Sequence, residues 1–317
     1  MEQITLQNQY LKLSCINYGA IIKELIVKDK NENEVNVIIG FKKAEDYLNN
    51  PYYLGAAVGR FAGRIGNGGF TVEGNHYSIY NENGVHLHGG KNNFSHKYWK
   101  IEKVEKGENP YVTFSYLSED MEEGYPGNLQ AFVTYKLEKN KLTIRFEAVA
   151  DCATIVNLTN HNYYNLNGGG SILQHELQLD ADSFLETDEK QIATGKFLDV
   201  KGTPFDFIST RNVGDHSDFK GIDDCFVLNK KGHIATLHSK ESGIEMKVST
   251  NQPGVVIFTP DQLPEANYYN YYVDEYSSIC FETQNFPDAP NKPHFPSAEL
   301  KKGEKYINES EFEFSVR

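Results

Sequence analysis

The sequence predicts an all-β protein, a large antiparallel β-sandwich or barrel. Two observations carry that expectation. Apolar and polar residues alternate with period two along much of the chain. No long amphipathic helix interrupts the alternation, so the crossover helices that parallel sheets need are missing.

The strand expectations run in chain order. Leu11–Tyr18, Ala20–Val27 and Val35–Gly40 read as strands, followed by one short helix at Lys43–Leu48 that must stop before Pro51. Tyr111–Tyr116 comes next. Leu129, Ala131, Val133, Tyr135 and Leu137 alternate with polar or outward positions up to a tight turn at Glu138-Lys139-Asn140-Lys141, and Leu142, Ile144, Phe146 and Ala148 resume the pattern. This is a β-hairpin with one buried face. Ile155–Leu158, Glu176–Ala181, Ile234–His238, Ile244–Thr250 and Gly254–Thr259 follow, and Phe312, Phe314 and Val316 close the series. A wide sheet in such a fold can be concave and leave a groove open to a small ligand.

Composition narrows the function. The 317 residues contain no linker-like tract and no fixed-period repeat, so residues 1–317 are expected to form one domain. A formal net charge of −13 opposes binding to nucleic-acid phosphates. The N-terminus lacks the basic and apolar regions of a signal peptide, and no apolar run approaches the ~20 residues that span a bilayer. A cytoplasmic protein with no membrane partner is expected. Cys15, Cys152, Cys225 and Cys280 are scattered and should be reduced.

Five segments carry chemistry. Thr159-Asn160-His161-Asn162-Tyr163-Tyr164-Asn165 sets one imidazole among amides and phenols, too polar for a strand core. Amides and aromatic faces suit a sugar, with its hydroxyl edges and C–H faces, and imidazole moves protons near neutral pH. In His86-Leu87-His88-Gly89-Gly90 an extended chain would point both histidines to one side, but the matching ligands for a metal are missing, and none is expected. The glycines there permit close approach of backbone or ligand. Upstream, the glycine-rich stretch from Gly59 to Gly69 is no phosphate loop; Arg64 reads as a fixed donor to oxygens and Arg60 as half of a structural ion pair. Glu282, at the end of the apolar run Ile279-Cys280-Phe281, must be hydrogen-bonded, paired or functional, and desolvation would make it a stronger base. Asp223-Asp224 precedes an apolar strand, where Asp223 could accept hydrogen bonds from sugar hydroxyls.

Together these stretches resemble the aldose 1-epimerases, the galactose mutarotase family. The matching motifs are Gly59-Arg60-Phe61-Ala62-Gly63-Arg64-Ile65, Leu87-His88-Gly89-Gly90, Glu123-Gly124-Tyr125-Pro126-Gly127, Asn160-His161-Asn162-Tyr163-Tyr164-Asn165-Leu166 and Glu282-Thr283-Gln284-Asn285-Phe286-Pro287-Asp288-Ala289, in the family's order. The resemblance implies a galactose mutarotase-like antiparallel β-sandwich that binds an aldose in an open cleft, as a monomer or homodimer. By position, Glu282 looks like the catalytic base and His161 like the acid. Arg64, His88 and Asp223 look like sugar-binding groups. Asp224, where the family often has histidine, and Val256, where some members have glutamine, leave the preferred sugar open. Exchanging anomers needs one base and one acid, with no redox step and no cofactor. Two other readings share the fold: an epimerase of phosphorylated hexoses, against which the presence of only five arginines argues, and a non-catalytic sugar-binding protein, which would have lost its acid or base.

Overall fold

The computed structural model describes residues 1–269 and 275–317. Its two main sheets form an antiparallel β-sandwich. The larger sheet has nine strands, in the spatial order Lys100–Glu105, Tyr111–Ser118, Leu129–Glu138, Lys141–Ala150, Lys305–Val316, Ile244–Thr250, Gly232–His238, Glu176–Leu179 and Arg211–Asn212. The smaller has six, in the order Tyr163–Tyr164, Ile279–Gln284, Gly254–Phe258, Asp223–Val227, Ser183–Thr187 and Ala193–Asp199. A four-stranded sheet from the N-terminal residues Gln3–Asn36 packs its Leu13, Ile22 and Leu25 into the same core.

The alternation read from the sequence sets the layers. In the hairpin, Val133 and Tyr135 face inward across from Phe146 and Ile144, and every second residue is partly exposed. Inward residues of the nine-stranded sheet meet Phe226, Val255, Ile257, Ile279 and Phe281 of the six-stranded sheet in one apolar cluster. Tyr164 stacks on Phe312 across the layers, with ring centroids 5.3 Å apart. Since successive strand residues face opposite ways, the other face of the six-stranded sheet carries Cys225, Val256 and Glu282 in one row of paired positions, and Asp223, Phe258 and Cys280 in the next. That second face is the floor of a cleft.

Most expected strands are present with shifted ends. Tyr111–Ser118 and Gly232–His238 are longer than anticipated, whereas Thr154–Ile155 and Glu34–Asn36 keep only part of their runs. The short helix is a 3-10 turn at Ala44–Leu48 that buries Tyr47. Three readings need correction. Glu282 lies within its strand, followed by two more buried strand residues, because Thr283 and Gln284 still pair with Val255 and Gly254. Asp223 and Asp224 begin their strand instead of preceding it. The segment judged too polar for strand also contributes two-residue strands, Thr159–Asn160 and Tyr163–Tyr164. Its polar side chains are buried and mostly satisfied: the Asn160 amide donates to Gly55 O at 3.0 Å, the Asn165 amide to Ser277 O at 2.8 Å and the Asn162 amide to Tyr164 Oη at 3.1 Å, while Asn162 Oδ1 has no partner among the described residues.

Candidate active site

A cavity of ≈170 Å³ opens over the outer face of the six-stranded sheet. Arg64, His88, His161, Asp223 and Glu282, the five residues singled out in the sequence, all line it.

His161 connects the two short strands, and its backbone is pinned on both sides. Its N–H donates to Ala56 O at 2.9 Å and its carbonyl accepts from Gly55 N at 3.0 Å. The ring lies stacked between Tyr163, at 5.0 Å, and Tyr53, at 6.0 Å. Across the cavity floor, Glu282 Oε1 is 3.3 Å from His161 Nε2, with both side chains at most 5% exposed. The second carboxyl oxygen, Oε2, is buried and has no hydrogen-bond partner among the described residues. A buried polar atom in that state is costly unless a ligand completes it.

Burial dominates the electrostatics of this pair. It pushes the Glu282 carboxyl up to about 8, an effect that the nearby Asp223 charge reinforces and Arg64 opposes. Burial also pushes the His161 imidazole down to about 4. Between those limits the pair holds one exchangeable proton across the 3.3 Å contact. Desolvation thus favours the neutral form of both groups, a protonated carboxyl beside an uncharged imidazole.

His88 follows the short strand His86–Leu87 at φ 50°, so the two histidines do not act on one side as an extended chain would require. His88 turns into the cavity. Its Nδ1 accepts from Gly63 N at 3.2 Å, which leaves the proton on Nε2 as a donor. Burial holds its pKa well below the ordinary histidine value. His86 is fully buried elsewhere, with Nδ1 at 2.5 Å from Tyr80 O and Nε2 at 2.5 Å from Tyr125 Oη. Gly89 fits the close approach expected of it: a Cβ there would sit 1.9 Å from Gly59 O.

The Glu123-to-Gly127 motif braces this loop and does not line the cavity. Glu123 accepts from Lys91 N and Asn92 N at 3.0 Å each, and Tyr125 holds His86. Arg60 is structural, as anticipated, but among the described residues it forms no ion pair. Its buried guanidinium donates to the carbonyls of Ser118, Glu119 and Pro126 and to Ser118 Oγ.

At the mouth, Arg64 Nη2 lies 3.7 Å from Asp223 Oδ2. Gln191, which no sequence motif indicated, joins them: Arg64 donates to its Oε1, and its Nε2 donates to Asp223 Oδ2 at 3.1 Å. Tyr53 and Phe258 are further lining residues that the sequence did not suggest. Of the two departures from the family pattern, Val256 faces the cavity directly beside Glu282, whereas Asp224 points to the opposite side of its strand, where burial raises its pKa to about 6.

Among the described residues, His88, His161 and Glu282 form a group whose ligand atoms all lie within 4.8 Å of one another, so they could hold a metal ion. The alternative use of the same trio is proton transfer, which needs one acid and one base at that spacing.

Known proteins place the chain among relatives. The family model described as aldose 1-epimerase matches residues 2–313. Galactose mutarotases of Sus scrofa and Bos taurus are 39% and 40% identical, each over 100% of this chain and 94% of theirs. In structure, an aldose epimerase homologue from C. elegans superposes with a TM-score of 0.92 at 28% identity over 99% of both chains. Galactose 1-epimerase from Lactobacillus acidophilus gives 0.88 at 28% identity over 99% of this chain and 94% of its own. The chain belongs to the aldose 1-epimerase family.

Proposed function

We propose that this isomerase, an aldose 1-epimerase, interconverts the α and β anomers of free hexoses such as galactose and glucose by acid–base ring opening and closure, with Glu282 as base and His161 as acid. One observation carries the assignment of roles: a buried carboxyl with one oxygen 3.3 Å from an imidazole and the other, at a cavity, without a partner among the described residues.

Moving the shared proton from carboxyl to imidazole creates the working pair without changing its proton count. The sugar assists, because a hydroxyl donating to Oε2 favours the carboxylate. Glu282 then takes the proton of the C1 hydroxyl while His161 Nε2 gives one to the ring oxygen. The C1–ring-oxygen bond breaks, leaving an aldehyde at C1 and a hydroxyl at C5. Rotation about C1–C2 turns the other carbonyl face toward that hydroxyl. Closure reverses the transfers, with His161 as base and Glu282 as acid. Each positioned transfer contributes roughly 10²–10⁴-fold. His88 Nε2–H stabilises negative charge on the reacting sugar oxygens, and the Arg64 guanidinium helps to hold the sugar from the mouth.

Arg64 is the sole lysine or arginine among the described cavity-lining residues, which suits a neutral sugar better than a phosphorylated one. The chemistry calls for neither cofactor nor metal. We place the protein in the cytoplasm, acting in hexose metabolism as one domain over residues 1–317. Among the described residues no helix is long and apolar enough to cross a membrane.

The test follows optical rotation of freshly dissolved α-galactose and α-glucose, with glucose 6-phosphate as comparison. Faster approach to the equilibrium rotation with the free sugars is expected. Drift at the uncatalysed rate with every free aldose would overturn the reading.

A further inference from the structure

The polar groups of the cavity fall into two tiers. Glu282 and His161 sit on the floor, with side chains 3% and 5% exposed, whereas Arg64 and Asp223 stand at the mouth at 22% and 34%. The floor pair must reach C1 and the ring oxygen, so the mouth pair meets the sugar edge away from the bond that breaks.

Arg64 and Asp223 do not make a good hydrogen bond to each other, at 3.7 Å. Gln191 closes the gap, its carbonyl accepting from Arg64 and its amide donating to Asp223 at 3.1 Å. The amide does not float at the end of a loose loop. It projects from a tight turn between the strands Ser183–Thr187 and Ala193–Asp199, at φ 57°. Asp188 Oδ1 fixes that turn by accepting from Lys190 N and Ile192 N, each at 2.9 Å, and Lys190 Nζ ties it to Asn83 O at 3.0 Å.

We propose that Gln191 is a positioning residue that preassembles Arg64 and Asp223 into a clamp for the mouth-facing hydroxyls of the sugar. The amide spends one donor of Arg64 and one lone pair of Asp223. A guanidinium has four more N–H groups and a carboxylate further lone pairs, so hydroxyls bind alongside Gln191 without displacing it. Holding two long side chains in their bound geometry before the sugar arrives removes an ordering cost from binding. The hydrogen bonds of the Gln191 side chain go to the mouth pair and not to either floor residue, so it acts on affinity and leaves the proton transfers alone.

The inference rests on the epimerase reading and is tested with Gln191→Met, which keeps the length of the side chain and the exposed turn but loses both hydrogen bonds. Kinetics are followed by polarimetry on galactose and glucose. Binding is followed by calorimetric titration with 1,5-anhydrogalactitol, which keeps the ring hydroxyls and has none at C1. The expected result is a KM and a Kd raised roughly three- to tenfold with a kcat changed by less than about twofold. Unchanged KM and Kd would remove Gln191 from the clamp. A lower KM would make it a competitor of the sugar and equally overturn the proposal. A wild-type protein that binds the anhydro sugar but turns over no aldose would sink the epimerase reading alone, and the ratio of the two Kd values would still decide the clamp.

Discussion

Replacing Glu282 by glutamine separates what the carboxyl does for chemistry from what it does to stability. Glutamine keeps the shape of the side chain and can still face His161 Nε2, but it neither accepts a full proton nor ionises. Turnover should fall by at least ~10²-fold, the contribution of one positioned general base. Stability should move the other way at alkaline pH. The wild-type carboxyl is raised from 4.5 to about 8 by burial. Its favourable contribution is therefore complete below the unfolded value and is lost as pH rises through the folded one, because the unfolded chain releases the proton first. The loss has a ceiling of ~1.4 kcal/mol per pH unit for one group. Glutamine has no such loss, so the Tm of Glu282→Gln minus that of wild type should increase steadily from near pH 5 to near pH 8. His161 remains in both proteins, so its own loss of stability as pH falls toward about 4 largely cancels in the difference. Polarimetry gives the first readout and scanning calorimetry at a series of pH values the second. Undiminished turnover in a folded mutant would remove Glu282 as the base. A Tm difference that does not vary with pH would refute the claim that burial raises its pKa.

The remaining expectations concern the surroundings of that carboxyl. The rate should be bell-shaped in pH, with limbs near about 4 and about 8 where the pair gains a second proton or loses its only one; a flat profile with chemistry rate-limiting contradicts paired catalysis. Asp223→Asn should raise KM and also shift the alkaline limb to lower pH, because the Asp223 charge helps to raise Glu282; a limb that stays in place or moves upward counts against that coupling. Arg64→Met should move the same limb to higher pH, since the guanidinium lowers the Glu282 pKa, and titrating the rate between pH 7 and 10 reads the sign. Gly89→Ala should cost on the order of 3 kcal/mol or prevent folding, as measured by urea denaturation, because φ is 90° there and the new methyl would meet Gly59 O at 1.9 Å.

The part of this protein legible in its sequence is the part that local rules govern. The hairpin around Glu138-Lys139-Asn140-Lys141 could be read because its alternation matches its burial residue by residue. The polar strand at Thr159–Asn160 could not, because its amides are paid for by partners such as Gly55 O, far away in sequence. His161 and Glu282 were identifiable from a polar cluster, a carboxylate beside an apolar run and the family motifs. Gln191 carries no comparable mark: it sits in an exposed turn of ordinary composition, and its meaning arises only once Arg64 and Asp223 are brought to either side of it. The ion pair expected for Arg60 failed for a related reason. Charge in the sequence indicates a need for acceptors, and three backbone carbonyls met it as well as a carboxylate could.

The sandwich also explains how a carboxyl in this chain can be both buried and available. A strand residue facing the core would be surrounded by apolar side chains, as Phe281 is, and a carboxyl there would have no access to a substrate. One position along, Glu282 faces outward, but its row neighbours are Val256 and Cys225, neither of which offers it a strong hydrogen bond, and the stacked rings of Tyr163, His161 and Tyr53 stand nearby. Water is thus limited without the site being sealed, and the carboxyl is desolvated in place. The same parity that packs the core generates the raised pKa of Glu282, so a one-residue slip in the Ile279–Gln284 register would bury the carboxyl in the core and present Phe281 to the cavity.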